Sequence, residues 1–159
     1  MSIKRSIVLL HGVLQEGLFD RLRKDKVKAI YVLEGRPSLK AARYNCRELL
    51  KRKLKPTLIA DNMAGFLFNR GMVAQVWLSY YLSDKNGAVC PIGSLILAVL
   101  AKRHKVAINL FPAEGRIKFL GSPNEILLFN DSRVASDNIK GYVPLVEWVD
   151  KKYIGKIHE

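Results

Sequence analysis

Seven short apolar runs, rich in β-branched residues, recur along this chain of 159 residues, and most of them are separated by helical patterns. The runs are SIVLL (6–10), KAIYVL (28–33), PTLIA (56–60), VAQVWLS (73–79), KVAINLF (105–111), EILLF (125–129) and VPLVEWV (143–149). Runs of this length that are apolar on both faces are typical of strands in a sheet covered on both sides. We therefore expect an α/β fold, doubly wound, with a mainly parallel sheet and helices on both faces.

The clearest helical pattern follows Pro37, with Ser38 suited to be the N-cap. Apolar residues recur there at spacings of three and four, which predicts one buried face: Leu39, Ala42, Cys46, Leu49 and Leu50. Basic residues recur at the same spacings and predict a solvated stripe on the opposite face: Lys40, Arg43, Arg47 and Lys51.

Three further segments read as helices. A short one is expected over about 16–25, and a second over 62–71, capped by Asp61 and ending at Gly71. The third, 93–104, is almost wholly apolar for two turns, which suits a helix buried against the sheet or at a subunit contact. Residues 132–141 read as a long surface loop.

The charge is strongly basic and unevenly distributed. The chain has 27 Lys and Arg against 14 Asp and Glu, a formal charge of +13, and residues 1–55 hold 15 of the basic residues but only 5 of the acidic ones. Such a field favours anionic partners: phosphorylated metabolites, nucleic acid or an acidic protein. A basic surface that serves only solubility is the alternative.

Cysteine spacing and hydropathy exclude several classes of protein. Cys46 and Cys90 match no metal-ligand spacing and predict buried free thiols, so we expect neither a metal nor a cofactor. No apolar run approaches the length of a membrane span, and the N-terminus has no small-residue cleavage site. A cytoplasmic protein that does not insert into a membrane is expected.

Four blocks, in order and spacing, resemble a known family. They are YVLEGRPSLKAARYNCRELL, TLIADNMAGFLFNRG, NGAVCPIG and AVLAKRHKVAINLFPAE. They resemble the C-terminal domain shared by 5-methylthioribose-1-phosphate isomerase, ribose-1,5-bisphosphate isomerase and the regulatory subunits of translation initiation factor 2B, over roughly residues 6–112. The resemblance implies a single Rossmann-like domain over 1–159, without the helical N-terminal domain that covers the site in the isomerases.

The chain departs from that family at its catalytic positions. The family's strand-end Thr-His-Cys places its cysteine on Gly12, after His11, and its Gly-Ala-Asp-Arg block places its aspartate on Tyr81. An Asn-Lys pair that resembles a substrate clamp falls on Cys90 and Pro91. A phenol with a pKa near 10 does not replace a carboxylate as a base at neutral pH. His11 is expected to be a packed or hydrogen-bonded residue.

Residues suited to ligand binding are retained in the family pattern. Arg36 at a helix start, with Lys40 one turn further on, could hold a phosphate, although Arg36 could instead pair with Glu34 or Asp61. The predicted ligand-binding residues, all placed at the carboxyl ends of strands, are Arg36, Lys40, Asp61, Asn86 and Gly87.

Taken with the missing catalytic pair, the resemblance implies a protein that is not an enzyme. We expect a homo-oligomeric, dimeric binding or scaffold module that retains a phosphate pocket and has a possible protein partner; in the family this domain dimerises through helices that flank the sheet. One alternative is a sugar-phosphate isomerase with altered catalytic residues. The other is an RNA-binding or other nucleic-acid-binding protein that uses the Arg43, Arg47 and Lys51 stripe with the KRKLK cluster at 51–55, although no stacking motif accompanies that charge.

Overall fold

A computed structural model of the chain describes residues 5–25, 27 and 29–159. Six of its strands form one sheet in which every neighbouring pair is parallel. Numbered along the chain, they are β1 (Ile7–His11), β2 (Ala29–Leu33), β3 (Thr57–Ile59), β4 (Val73–Tyr80), β7 (Ala107–Pro112) and β11 (Lys156–Ile157). Their order across the sheet is β11-β7-β4-β1-β2-β3, which confirms the predicted fold class.

Helices cover both faces of this sheet. They are α1 (Glu16–Lys24), α2 (Lys40–Lys51), α3 (Ala64–Asn69) and α4 (Ser94–His104). A fifth, short helix, α5 (Asn124–Leu127), belongs to neither buried cluster, and 3-10 turns lie at Asp61–Met63 and Lys151–Tyr153. Helices α1 and α2 share a buried cluster with one set of strand side chains, including Val8 and Leu10, while α3 and α4 share another with the alternate set, including Ile7 and Leu9. Within the described segments, none of the helices is long and apolar enough to cross a membrane.

The last two apolar runs do not join the parallel sheet. Strand β10 (Val146–Asp150) pairs antiparallel with β6 (Gly87–Pro91), which in turn pairs with β5 (Leu82–Asp84). The run 125–129 is mostly α5, and only its end forms β8 (Leu128–Phe129), a hairpin strand paired with β9 (Ser132–Arg133). The strand predicted at 125–129 is therefore wrong over most of its length, because hydrophobicity alone cannot distinguish a short buried strand from a turn of helix.

Helix α2 is rotated relative to its predicted buried face. Its buried side chains are Ala41, Ala42, Asn45, Glu48 and Leu49. Leu50, predicted to be buried, is 59% exposed. The helix begins only after Leu39, which has a φ of 59° and replaces Ser38 at the N-cap position, so the predicted Ser38 cap is also wrong. The rotation is possible because the polar residues that it buries have partners.

Glu48 has cationic partners at the C-terminal end of its own helix. Its carboxylate receives a hydrogen bond from Lys51 at 2.7 Å and another from Arg52 at 3.1 Å, and the Lys51 contact is the largest of the causes that lower the Glu48 pKa. Arg52 also binds Glu16 and Asp20 of α1, at 3.0 and 2.9 Å. The guanidinium therefore joins α1 to α2, and three of the acidic residues in the basic first third of the chain are used in this contact.

Asn45 joins α2 to the segment that follows β1. Its amide nitrogen donates to the carbonyl oxygen of Gly12 at 2.8 Å, and its Oδ1 accepts the backbone N–H of Leu14 at 3.3 Å. The side chain is fully buried, so neither backbone group can exchange this partner for water without local opening. The contact fixes the path of the chain at the carboxyl end of β1.

We expect Asn45→Ala to lower the free energy of unfolding by about 1–3 kcal/mol, because it leaves a buried N–H and a buried C=O without partners. Urea unfolding followed by circular dichroism measures the change. Asn62→Ala, at an exposed position in the 3-10 turn, is the matched control and should change stability by less than about 0.5 kcal/mol. Equal effects of the two substitutions would show that the Asn45 contacts contribute nothing specific.

Candidate active site at the strand ends

A pocket with a cavity volume of about 90 Å³ lies at the carboxyl ends of β1, β2 and β4. Parallel strands end at the same edge, so loops that are distant in sequence meet there. The lining side chains and backbone that matter for chemistry are His11, Gly12, Arg36, Lys40, Tyr81 and Lys118. The structure thus brings together two of the predicted binding residues, Arg36 and Lys40, with the two residues at the family's catalytic positions, Gly12 and Tyr81.

The backbone of the turn that carries Arg36 is held in place by the carboxylate of Asp61. One carboxylate oxygen accepts the backbone N–H of Gly35 at 2.9 Å and the other accepts that of Arg36 at 2.7 Å. Asp61 does not cap a helix, since the N-cap position of the 3-10 turn is Ala60 and no side chain caps it. It is also absent from the pocket lining, so its predicted contact with a ligand is replaced by a contact with the turn that positions Arg36.

Three cationic side chains line the pocket: Arg36, Lys40 and Lys118. Among the described residues that line it, none is acidic. The Arg36 side chain makes no ion pair with Glu34 or Asp61; its guanidinium lies 5.7 Å from the ring centroid of Phe129, a cation–π contact that leaves its N–H groups available. Such a mouth is electrostatically suited to a phosphate group.

His11 ends β1 at the pocket and is 3% exposed. Its Nε2 lies 2.9 Å from the carbonyl oxygen of Ile92, which can only accept, so Nε2 carries the proton and Nδ1 has the free lone pair. Burial lowers the pKa of His11 from its ordinary value of 6.5, against the opposing fields of Asp61 and Glu147. At neutral pH the ring is therefore uncharged, and Nδ1, which has no hydrogen-bond partner in the described part of the chain, can accept a proton.

Tyr81 follows directly after β4 and lines the same pocket. Burial, and to a smaller extent Cys90, raises the pKa of its hydroxyl above the ordinary value of 10. The phenol is therefore protonated at neutral pH. It cannot act as a base there, as expected from the sequence, but it can donate a hydrogen bond or a proton to an oxygen atom of a ligand.

Asn86 and Gly87, also predicted to bind the ligand, are not among the residues that line this pocket. They lie at the tip of the hairpin between β5 and β6, where both backbone N–H groups bind Oδ1 of Asp84, at 2.7 and 3.1 Å. Strand β6 must run its length of roughly 13 Å before it returns to the pocket at Pro91. An antiparallel hairpin after β4 is a feature that the spacing of motifs could not reveal.

Sequence reasoning missed Lys118 and Asn45. Lys118 reaches the pocket from the loop between β7 and α5, in a segment without any motif, so no sequence signal could have placed it there. For Asn45 a weak signal existed, since a polar residue at a helical spacing of three or four from Ala41, Ala42 and Leu49 falls on their face.

The basic stripe on α2 is exposed as predicted, but two of its members have acidic partners. Arg47 and Lys51 both contact Oε1 of Glu48, at 3.3 and 2.7 Å. Their charge is therefore partly neutralised within the helix. Binding of RNA or another nucleic acid along this stripe stays a prediction.

The sequence is similar to those of proteins named as isomerases. It is 30% identical over 156 residues to a Thermus thermophilus protein named methylthioribose-1-phosphate isomerase, an alignment that covers 91% of this chain and 47% of the relative. A relative of the same name from Carboxydothermus hydrogenoformans is 32% identical over 146 residues, covering 81% of this chain and 41% of the relative. The chain thus spans about half the length of the curated relatives it matches. The model of the initiation factor 2 subunit family matches residues 8–157.

Solved structures show the same fold. The 5-methylthioribose 1-phosphate isomerase from Pyrococcus horikoshii superposes with a TM-score of 0.82 at 24% identity, over 98% of this chain and 50% of that one. Subunit delta of the translation initiation factor eIF-2B from A. fulgidus superposes with a TM-score of 0.80 at 19% identity, over 96% of this chain and 51% of that one. These superpositions show the fold, while the family model and the named relatives confirm the resemblance drawn from the four sequence blocks. The partial coverage of each relative fits a match to one domain.

The expectation that the chain is not an enzyme is wrong. Relatives between 30% and 41% identical carry the name methylthioribose-1-phosphate isomerase, which points to an enzyme, although the matches cover only part of each relative. The expectation inferred the absence of enzymatic activity from the absence of two side chains, at positions 12 and 81. At the same strand ends the structure places a neutral imidazole and a protonated phenol, which the comparison of motifs had discounted.

Proposed function

Because the chain belongs to the initiation factor 2 subunit family, we propose that it binds a phosphorylated sugar in the strand-end pocket and isomerises it, with methylthioribose 1-phosphate as the first candidate substrate. The observation that carries this proposal is the composition of the pocket: three cations, no acidic side chain among the described lining residues, and an uncharged histidine at its base. A single dianionic group matches the cations. The uncharged remainder of a sugar matches the less polar interior around Pro91, Ile92 and Leu145.

The residues of this pocket can divide the isomerisation of a sugar 1-phosphate between them. Tyr81 gives its proton to the ring oxygen as the bond between that oxygen and the phosphate-bearing carbon C1 breaks, the hydride on C2 moves to C1, and Nδ1 of His11 takes the proton of the C2 hydroxyl, whose oxygen becomes the new carbonyl oxygen. One C–O bond is thereby broken and one carbonyl formed, while the phosphate stays on C1. The proton on His11 returns to the Tyr81 phenolate through water, so atoms and charge balance without a co-reactant. Arg36, Lys40 and Lys118 bind the phosphate and so hold the two carbons in register during the transfer.

This proposal predicts turnover of methylthioribose 1-phosphate that rises with pH through the His11 pKa, below 6.5, and falls only above pH 10. The base must be neutral, so a lowered His11 pKa extends activity towards acid, while a raised Tyr81 pKa keeps the acid protonated into the alkaline range. His11→Gln and Tyr81→Phe should each reduce kcat by about 10²- to 10⁴-fold without changing the melting temperature much. Product formation measured by chromatography, with ribose 1,5-bisphosphate as a second substrate, tests this.

The control is His104→Gln on α4, which should leave kcat and the pH profile unchanged. Folded protein that binds methylthioribose 1-phosphate but shows no turnover between pH 6 and 10 would refute the catalytic part of the proposal. Turnover that survives His11→Gln undiminished would refute the role of the imidazole while leaving an isomerase.

Binding of the phosphate should depend on Arg36. A charge-assisted hydrogen bond contributes about 1.5–3 kcal/mol, so Arg36→Ala should weaken methylthioribose 1-phosphate and inorganic phosphate by roughly tenfold to over a hundredfold. Arg47→Ala, on the outer stripe of α2, removes the same charge away from the pocket and should change Kd less than about threefold. Isothermal titration calorimetry at two salt concentrations measures both. Equal weakening by the two substitutions would mean that the general basic field, and not the pocket, holds the anion.

We also propose that two copies of the chain associate through α3 and α4. These helices pack against each other but leave apolar side chains in solvent, with Phe66 59% and Ile96 66% exposed, and Met63 and Val99 nearby in sequence also exposed. A group of exposed apolar residues on two adjacent helices is typical of a surface covered by a partner. A second copy of the chain supplies the same apolar surface, as a two-fold interface requires.

The dimer proposal predicts that Ile96→Glu yields a monomer while Leu82→Glu does not. Ile96 and Leu82 are both exposed by 60% or more, but Leu82 lies on β5 and not on α3 or α4. A glutamate at a buried interface would lose its hydration without a partner. Light scattering after size-exclusion chromatography, over a tenfold range of protein concentration, gives the mass. A wild-type monomer at every concentration would remove the proposal.

A further inference from the structure

A second cavity adjoins the strand-end pocket. Its volume is about 510 Å³, against about 90 Å³ for the pocket, and it is lined by residues from the start of α2 and from the β8–β9 hairpin. The two cavities share four lining residues, Arg36, Pro37, Ser38 and Lys40. The two cations proposed to bind a phosphate from the pocket are therefore also within reach of a ligand in the second cavity.

Phe129 gives the second cavity an aromatic wall. It is the last residue of β8, and its side chain is 51% exposed although it is large and apolar. The turn that follows consists of Asn130 and Asp131, with φ of 48° and 62°, as expected for a two-residue hairpin turn in which both central residues are left-handed. This tight turn fixes the strand end that carries Phe129 and leaves the ring accessible from the cavity.

Arg36 connects this aromatic wall to the phosphate site. Its guanidinium lies 5.7 Å from the centroid of the Phe129 ring. A guanidinium is planar, so it can stack on an aromatic face while its N–H groups bind an anion at its edge. An aromatic group attached to that anion would lie beside Phe129, in the second cavity.

The charges of the second cavity favour a neutral group over a second phosphate. Glu125 and Asp131 line it, whereas the described lining of the strand-end pocket has no acidic residue. Neither carboxylate forms an ion pair within the described part of the chain. They would repel a second anionic group, while Leu128 and Phe129 offer apolar contacts that suit a ring better than a polyol.

We propose that the second cavity binds the aromatic group of a phosphate monoester whose phosphate is held by Arg36 and Lys40. The space is sufficient, since an apolar cavity of roughly 150 Å³ is large enough to bind benzene. The inference rests on the proposed phosphate site and adds a second class of ligand to it, aromatic phosphate monoesters. Because such a ligand uses the same two cations as the sugar phosphate, it competes with the sugar phosphate for the protein.

The experiment compares phenyl phosphate, cyclohexyl phosphate and inorganic phosphate by calorimetry. The two esters have the same charge and a similar size, but only phenyl phosphate has a flat aromatic ring. Wild-type protein should bind phenyl phosphate about three- to tenfold more tightly than cyclohexyl phosphate. Phe129→Leu, which keeps an apolar side chain but removes the ring, should bring this ratio close to one and leave the Kd for inorganic phosphate within about twofold.

Phe119→Leu is the matched control. Phe119 lies in the same segment between β7 and β10, is 63% exposed, and belongs to the lining of neither cavity, so its substitution should leave the ratio unchanged. Arg36→Ala should weaken all three ligands. If Phe129→Leu weakens inorganic phosphate as much as phenyl phosphate, then Phe129 only positions Arg36, and the aromatic subsite is refuted.

Competition supplies a second measurement. Saturating phenyl phosphate should raise the apparent Kd for ribose 5-phosphate at least about tenfold, because both ligands need Arg36 and Lys40. Simultaneous binding without mutual weakening would overturn the shared phosphate site. If inorganic phosphate and ribose 5-phosphate bind but phenyl phosphate is no tighter than cyclohexyl phosphate, the second subsite is refuted while the proposed function stands. If none of these compounds binds at millimolar concentration, the proposed function fails and this inference fails with it.

Discussion

The carboxylate of Asp61 is the contact on which the geometry of the pocket depends. It follows β3, and because β3 and β2 are parallel neighbours their carboxyl ends meet, so that Asp61 can accept the N–H groups of both Gly35 and Arg36. Hydrogen bonds to a charged acceptor are among the stronger ones in proteins. They hold the turn after β2 in a path that includes the left-handed Gly35 and Leu39 and delays the start of α2 to Lys40. As a result, Arg36 and Lys40 both line one pocket.

The charge of the site follows from this arrangement. Three cations gathered at one mouth repel each other, and the negative charge of Asp61 lies behind the turn, occupied with backbone N–H groups and absent from the lining. A charged imidazole at the base would add a fourth positive charge to a buried position. Burial prevents this, since it lowers the pKa of His11 and keeps the ring neutral at neutral pH. The pocket thus separates a cationic mouth from an uncharged base, and a phosphate ester with a polyol body has the same division.

Features that depend on local sequence were predicted correctly, whereas features that depend on contacts between distant segments were not. Hydrophobic runs located β1, β2, β3, β4 and β7 to within two residues at most boundaries, because a strand covered on both faces is apolar throughout. The placement of Arg36 followed from a motif. Asn86 and Lys118 did not follow, because their positions depend on a hairpin after β4 and on a loop after β7 whose paths are set by tertiary packing. The burial of Asn45 and Glu48 escaped a hydrophobicity pattern for the same reason, since their partners lie on other elements or on side chains that the pattern treats as solvated.

The error about catalysis has the same origin. Comparison of motifs treats each position separately, and on that basis glycine at position 12 is a loss. In space, the volume next to Gly12 is filled by Ser79 from the adjacent strand, and the phenol of Tyr81 and the imidazole of His11 lie at the same strand ends. The left-handed φ of Gly12 and the position of the Ser79 hydroxyl also mean that a cysteine could not be restored there unless Ser79 changed with it. Which groups a pocket offers is therefore a property of neighbouring strand ends taken together, and the loss of a side chain at one position has to be judged with the residues that adjoin that position in space.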